Sequence, residues 1–289
     1  MKLFRRAQAD DDLVVRLYYA SDIHGTEVLW KKFLNAPKVY NAKVLVMGGD
    51  ITGKMVIPIV RDENGVSTAQ LFGRKERMES EAEIVKFEQR VRGNGMYPYR
   101  TTAQEVASIS ALSEDEQERW FEQVIESAAE VESCDEKVVE FDGYPMLSLG
   151  YSNRTPWDSP RELDEDALHE RISAMAESIG DQTRAVWNIH VPPRDSQLDT
   201  AAELDDDFNV VLVGKQPHMI PVGSQAVRDA IETYQPLVAL HGHIHESPGA
   251  TRIGRTLCIN PGSDYHTGRI SGCIVNLRGD RVNHQFVTG

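Results

Sequence analysis

The sequence predicts an α/β fold, and three observations carry that expectation. Residues 13–50 read as strand, helix, strand, a β–α–β unit whose right-handed crossover makes the two strands parallel. From residue 137 short apolar runs alternate again with amphipathic stretches down to the C-terminus. Between them, residues 54–134 are charged and helix-rich, and read as an insertion or cap within a single domain over 1–289.

Taken in order, "LVVRLYYAS" (13–21) is rich in β-branched and aromatic residues and reads as the first strand. "TEVLWKKFLNA" (26–36) sets Val28, Leu29, Phe33 and Leu34 near helical spacing, with Pro37 as the stop. "AKVLVMGGD" (42–50) is a continuous apolar run before a glycine pair, as in a strand buried on both faces. In the insertion, "MVIPIV" and "STAQLF" flank a hairpin around Asn64-Gly65. "ERMESEAEIVKFEQRV" reads as a helix ending at Gly93. "SEDEQERWFEQVIESAAEV" reads as a second, with Ser113 and Glu116 at capping-box spacing.

After residue 137, "KVVEF" and "PMLSLGY" are strand-like, and "SPRELDEDALHERISAMAESI" is a helix opened by Ser159, Pro160 and Glu162. "RAVWNIH" (184–190) is another strand, 205–223 an irregular excursion, "SQAVRDAIETY" a helix and "PLVAL" a strand. "TLCIN", "GCIVNL" and "RVNHQFV" close the chain, the last two as a hairpin through Arg278-Gly279-Asp280.

Composition bounds the function. With 40% apolar and 26% charged residues the chain is an ordinary globular one, long enough at 289 residues for a substantial core. Its formal charge is 31 − 45 = −14, a field that repels phosphate backbones, and it has no basic stripe, so nucleic acid is not expected as a partner. A local site for an anion around a cation remains compatible with that charge. Cys134, Cys258 and Cys273 are too few and too scattered for a disulfide framework or a Cys-x-x-Cys metal site, and read as core residues. No apolar h-region follows the N-terminal basic residues and no run approaches eighteen apolar residues, so the expectation is a cytoplasmic protein without a membrane span.

The chemistry-bearing residues cluster where the strands end. "ASDIHG" places Asp22 and His24 after the first strand, "MGGD" places Asp50 after the second, and "NIHVPP" places His190. "LHGHIHE" (240–246) adds His241, His243 and His245, which alternation along an extended chain sets on one face. Open α/β sheets bind ligands beyond the carboxyl ends of their strands, so these side chains converge on one rim. Imidazole and carboxylate without thiolate suit Mn, Fe, Zn or Ni. Two such cations need an anion between them, a part that Asp50 can play, and together they activate a hydroxide for in-line attack at phosphorus.

The order Asp-x-His, Gly-Asp, a lone His after a strand and Gly-His-x-His resembles the calcineurin-like metallophosphoesterase superfamily over roughly 13–289, and "NPGS" (260–263) resembles the loop that follows Gly-His-x-His there. The resemblance implies a four-layer αββα sandwich of two mixed β-sheets flanked by helices, and a site for two divalent metal ions. Asp22, His24 and His245 would hold the first, Asp50 would bridge, and His190 and His243 would hold the second, while His241 is read as structural. "SNRTPWDSPRE" and "GKQPHMIPVGS" are similar to segments of a subgroup of uncharacterised, predicted phosphoesterases.

One departure stands out. The Gly-Asn-His-Asp/Glu motif, whose Asn ligates the second metal and whose His protonates the leaving group, is missing between Asp50 and His190. Asn94 reads as a helix-ending turn; Asn153, after a strand, is a candidate metal or substrate ligand. The proton donor is unassigned, with His218, His266 and Asp158 as polar loop candidates. Arg154 and Arg194 are candidates for substrate phosphate oxygens, and Glu246 for orienting a ligand histidine.

The functional expectation is a metal-dependent phosphoesterase acting on phosphate mono- or diesters of a phosphorylated small molecule, with activity lowered by the missing motif. The alternative is a degenerate relative using the fold as a binding scaffold. A nuclease is chemically compatible but opposed by the net charge.

Overall fold

Strand Val15–Ala20, helix Glu27–Tyr40 and strand Val44–Met47 form the opening unit, with Leu17 opposite Val44 and Ala20 opposite Met47 in parallel register. The computed structural model describes residues 14–51, 56–71, 73–93, 96–110, 134–157, 159, 161–205 and 207–289. The helix runs through Pro37 to a left-handed cap at Asn41, rather than stopping before the proline. Its last turn is held from outside: Ala36 is buried, and the Tyr40 ring stacks on Tyr18 with centroids 5.4 Å apart. That packing offsets the hydrogen bond a proline removes. Val44–Met47 is an edge strand, so Val46 alone among its residues is fully buried, against the expectation of burial on both faces.

Two mixed sheets organise the rest. The four-stranded sheet runs 44–47, 15–20, 271–278, 281–288. The six-stranded sheet runs 249–253, 256–260, 238–240, 186–189, 144–149, 137–141, its four inner strands parallel and its two edges antiparallel. Alternation distributes their side chains. Leu17 and Tyr19 of one sheet share a cluster with Val186, Val238, Leu240 and Ile259 of the other. Tyr18 and Ala20 instead join Leu29, Phe33 and Ala36 of the first helix. On the far side Trp187, Ile189 and Ala239 pack on Leu168 and Ile172 of helix Glu165–Ile179 and on Val227 and Ala230 of helix Gln225–Tyr234. Each such fully buried aliphatic contributes roughly 2 kcal/mol.

Several boundaries differ from the sequence expectation for local reasons. The helix expected from Ser159 begins at Glu165, because Glu162–Leu163 is a short strand paired with Ser152–Asn153. The Glu162 carboxylate accepts hydrogen bonds from the Thr155 backbone, the Thr155 hydroxyl and the Ser159 hydroxyl, so the supposed cap ties a loop instead. Ser224 does cap its helix, accepting from the Val227 amide at 3.1 Å. Within residues 56–110 lies a four-stranded sheet, ordered 74–78, 67–71, 56–61, 97–102, beside helices Glu81–Gly93 and Ala103–Ser110. Residues 76–78, expected as helix, are strand there, where pairing with Ser67–Ala69 and burial of Met78 outweigh propensity. The expected helix over 113–131, Asn94 and Asp158 lie outside the described residues.

Candidate metal centre

The chain turns sharply just past the strand ends, and the ligand-type residues sit in the turns. Asp22, His24, Asp50 and His243 all have positive φ, at 56°, 46°, 40° and 65°. Left-handed backbone at a residue with a side chain costs on the order of 1 kcal/mol, and its concentration here marks a site held by its surroundings.

His24 Nε2 lies 3.1 Å from His245 Nε2, and His245 Nε2 lies 3.2 Å from Asp22 Oδ1. Asp50 faces both sides: its Oδ2 is 3.6 Å from His24 Nε2 and its Oδ1 is 3.7 Å from His190 Nε2. His190 Nε2 is also 3.9 Å from Asp22 Oδ1. Two overlapping groups result, Asp22 with His24 and His245, and Asp22 with Asp50 and His190, the ligand atoms within each lying within 4.8 Å of one another.

The donor set suits a cation. His190 Nδ1 approaches the Gly48 carbonyl at 2.9 Å, which makes Nδ1 the protonated nitrogen and turns the basic Nε2 into the site. That Nε2 is buried and has no hydrogen-bond partner. Two imidazole nitrogens 3.1 Å apart beside two carboxylates are an arrangement a divalent ion stabilises. Burial alone would raise the Asp22 carboxyl, but neighbouring His190 and His245 outweigh it and hold Asp22 well below the usual carboxylate range. Burial would likewise lower His245, yet its bond to Asp22 and the charges of Asp22 and Asp50 raise it.

Close backbone approach is built in. Gly49 has φ 115°, and a Cβ there would stand 2.5 Å from His190 Nδ1. A Cβ on Gly242 would run into the Ser21 hydroxyl and Asp22 Oδ2. The "NPGS" loop clamps two ligand segments: the Ser263 hydroxyl donates to the Asp22 carbonyl at 2.7 Å, and its amide donates to the His245 carbonyl at 3.2 Å. Asn188 donates to the Met47 carbonyl at 3.2 Å, joining the two sheets beside the site.

Of the sequence-predicted residues, Asp22, His24, Asp50, His190 and His245 come together. The His243 ring lies 5.2 Å from that of His190, beside but outside the two groups, while its amide donates to both Asp22 oxygens at 3.1 and 3.0 Å. His241 is wholly buried, its Nδ1 2.9 and 3.0 Å from the Ile189 and Val191 carbonyls, and burial pushes its pKa down to about 4. Asn153 donates to the Val222 carbonyl at 3.3 Å, leaving its Oδ1 buried and unpartnered. Arg154 is exposed and donates from Nε to Asp164 Oδ1 at 3.1 Å, and Arg194 is exposed. Glu246 is exposed, and His218 pairs with Glu203. Sequence reasoning misses Tyr265: its ring centroid lies 4.5 Å from that of His24 and 5.8 Å from that of His245, and the His266 ring lies 3.9 Å from it at a tilt of 47°. Its place two residues beyond "NPGS" is the one sequence signal it carries.

No family model matches the chain. It is 28% identical over 132 residues to an uncharacterized protein, MJ1162, of Methanocaldococcus jannaschii, over 45% of this chain and 53% of that protein. The match thus spans about half the length of that relative. The crystal structure of TT1561 of Thermus thermophilus superposes over 94% of this chain and 99% of its own, with 16% identity and a TM-score of 0.46. A novel archaeal phosphodiesterase superposes over 94% and 100%, with 13% identity and a TM-score of 0.31. Likenesses this distant carry no argument about activity. Among the described residues, no helix is long and apolar enough to cross a membrane.

Proposed function

We propose that the chain is a metal-dependent phosphoesterase of the calcineurin-like kind, with its two mixed sheets and outer helices read as the four-layer αββα sandwich and 54–134 as an insertion. The observation that carries the reading is the convergence of three imidazole nitrogens on the carboxylates of Asp22 and Asp50 at the strand ends. Asp22, His24 and His245 would hold one divalent ion, Asp50 would bridge, and His190 and His243 would hold a second. The buried, unpartnered Oδ1 of Asn153 favours it as the replacement for the absent motif asparagine.

Bound there, two divalent ions supply a nucleophile at neutral pH and positive charge for an in-line displacement at phosphorus. The chain's own residues do the rest. Asp50 offsets the repulsion between two cationic positions, the Gly48 carbonyl fixes the His190 tautomer, and Tyr265 packs on two of the ligand imidazoles. The net charge of −14 disfavours polyanionic backbones, so the substrate class is a small phosphate mono- or diester.

The test is elemental analysis of protein purified without chelator, before and after adding Mn²⁺, alongside hydrolysis of bis(p-nitrophenyl) phosphate and p-nitrophenyl phosphate. Two metals with hydrolysis supports the dinuclear reading, and one metal with slow hydrolysis points to an incomplete second site. A chain that takes no metal even from added Mn²⁺ overturns the proposal and leaves the fold as a binding scaffold.

A further inference from the structure

The six-stranded sheet has a second feature at its other end. Leu237, just before strand Val238–Leu240, lines an open cleft of about 350 Å³ together with Arg252, Arg255, Asp280, Arg281 and Val282. The candidate metal ligands follow the same strand at its far end, so the cleft and the metal centre are separate places.

Three arginines lining one cleft are out of character for a chain carrying a formal charge of −14. Main-chain carbonyls hold two of them. Arg255 donates from Nε to the Gln235 carbonyl at 2.8 Å and from Nη2 to the Gln182 carbonyl at 2.9 Å. Arg252 donates from Nη1 to the Arg255 carbonyl at 2.7 Å. Such bonds fix the forks in place without neutralising them. Arg281 stands opposite Arg278 in the register of the closing hairpin. Among the described residues Asp280 is the one carboxylate in the lining, and the partly buried Val282 stands beside it.

We propose that this cleft binds a small molecule carrying a diphosphate group. The N–H groups that Arg252 and Arg255 keep beyond those carbonyl bonds, with those of Arg281, can meet several phosphate oxygens, whereas a single carboxylate engages one guanidinium fork. The volume lies within the range of small-ligand sites. This site stands on the cleft alone and does not depend on the metal centre being catalytic.

The experiment is isothermal titration of ADP into the chelator-treated full chain in metal-free buffer. Arg281→Gln is the chosen variant, because Arg281 is exposed and its loss leaves the carbonyl-bound forks intact. Saturable binding by the wild-type chain is expected, with at least a tenfold weaker Kd in Arg281→Gln and little change in Lys38→Gln, which alters the net charge equally on another element. Absence of saturable binding overturns the proposal, as does equal weakening in both variants, which would mean general charge. Binding lost in Asp50→Asn but kept in Arg281→Gln also overturns it, placing the anion at the metal centre.

Discussion

The Nε2 atoms of His24 and His245 stand 3.1 Å apart although 221 positions separate the two residues in the chain. The first belongs to the opening β–α–β unit of the four-stranded sheet and the second to a turn after the central strand of the six-stranded sheet. Ser263 links their segments, with its hydroxyl on the Asp22 carbonyl and its amide on the His245 carbonyl. A cation between the imidazoles would therefore also tie one sheet to the other, and metal binding is expected to raise thermal stability as well as to permit chemistry.

Asp50→Asn tests the bridge. Asp50 oxygens face His24 and His190 at 3.6 and 3.7 Å, so the variant should lose one metal per chain and roughly a hundredfold or more of the hydrolytic rate. Full metal content with full activity in Asp50→Asn would remove it from the site.

Asn153→Ala asks whether the buried Oδ1 completes the second site. Expected are reduced occupancy of the second, weaker metal and a loss of about 1 kcal/mol from the broken bond to the Val222 carbonyl. If the metal titration curve is unchanged and the stability loss alone appears, Asn153 is a structural residue.

Gly49→Ala should disturb the site without touching a ligand. The new Cβ would meet His190 Nδ1 at 2.5 Å, on a backbone with φ 115° that side chains rarely adopt. A destabilisation of about 1–3 kcal/mol in thermal unfolding is expected, with weakened metal binding because His190 is displaced. Gly73→Ala, with open space around it and φ 74°, is the control for backbone strain alone, and it should leave metal affinity intact.

Glu162 carries the pH prediction. Burial alone would raise its carboxyl, but bonds from Ser159 and Thr155 outweigh that and lower it below the usual carboxylate value. The folded state therefore holds the proton less readily than the unfolded one. Stability from this group is fully present above the unfolded value near pH 4.5 and falls as pH drops below it. Glu162→Gln should be less stable by about 1–2 kcal/mol at pH 7, and the gap to the wild type should shrink steadily as pH falls below the unfolded value. A gap that persists undiminished at about pH 3 would show that the carboxylate's charge plays no part.

Much was legible in the sequence because it rests on local pattern. The opening strand, the parallel unit, the hairpins at Asn64-Gly65 and Gly279-Asp280, and the placing of Asp22, His24, Asp50, His190 and His245 after strand ends follow from alternation, turn residues and short-range spacing. What failed was also local in origin but decided from afar. Pro37 sits inside a helix because Tyr40 stacks on Tyr18, and residues 76–78 are strand because Ser67–Ala69 pair with them. Glu162 abandons its capping role because three donors of a neighbouring loop converge on it. Tyr265 over His24, the Oδ1 of Asn153 left without a partner, and the arginine-lined cleft are contacts between residues far apart in the chain, and no periodicity encodes them. The sequence by itself determined which residues stand at strand ends and which chemistry they offer. Only the tertiary structure decided which of them meet, because distances between side chains on two different sheets depend on how the sheets pack, and packing is set by the whole core at once.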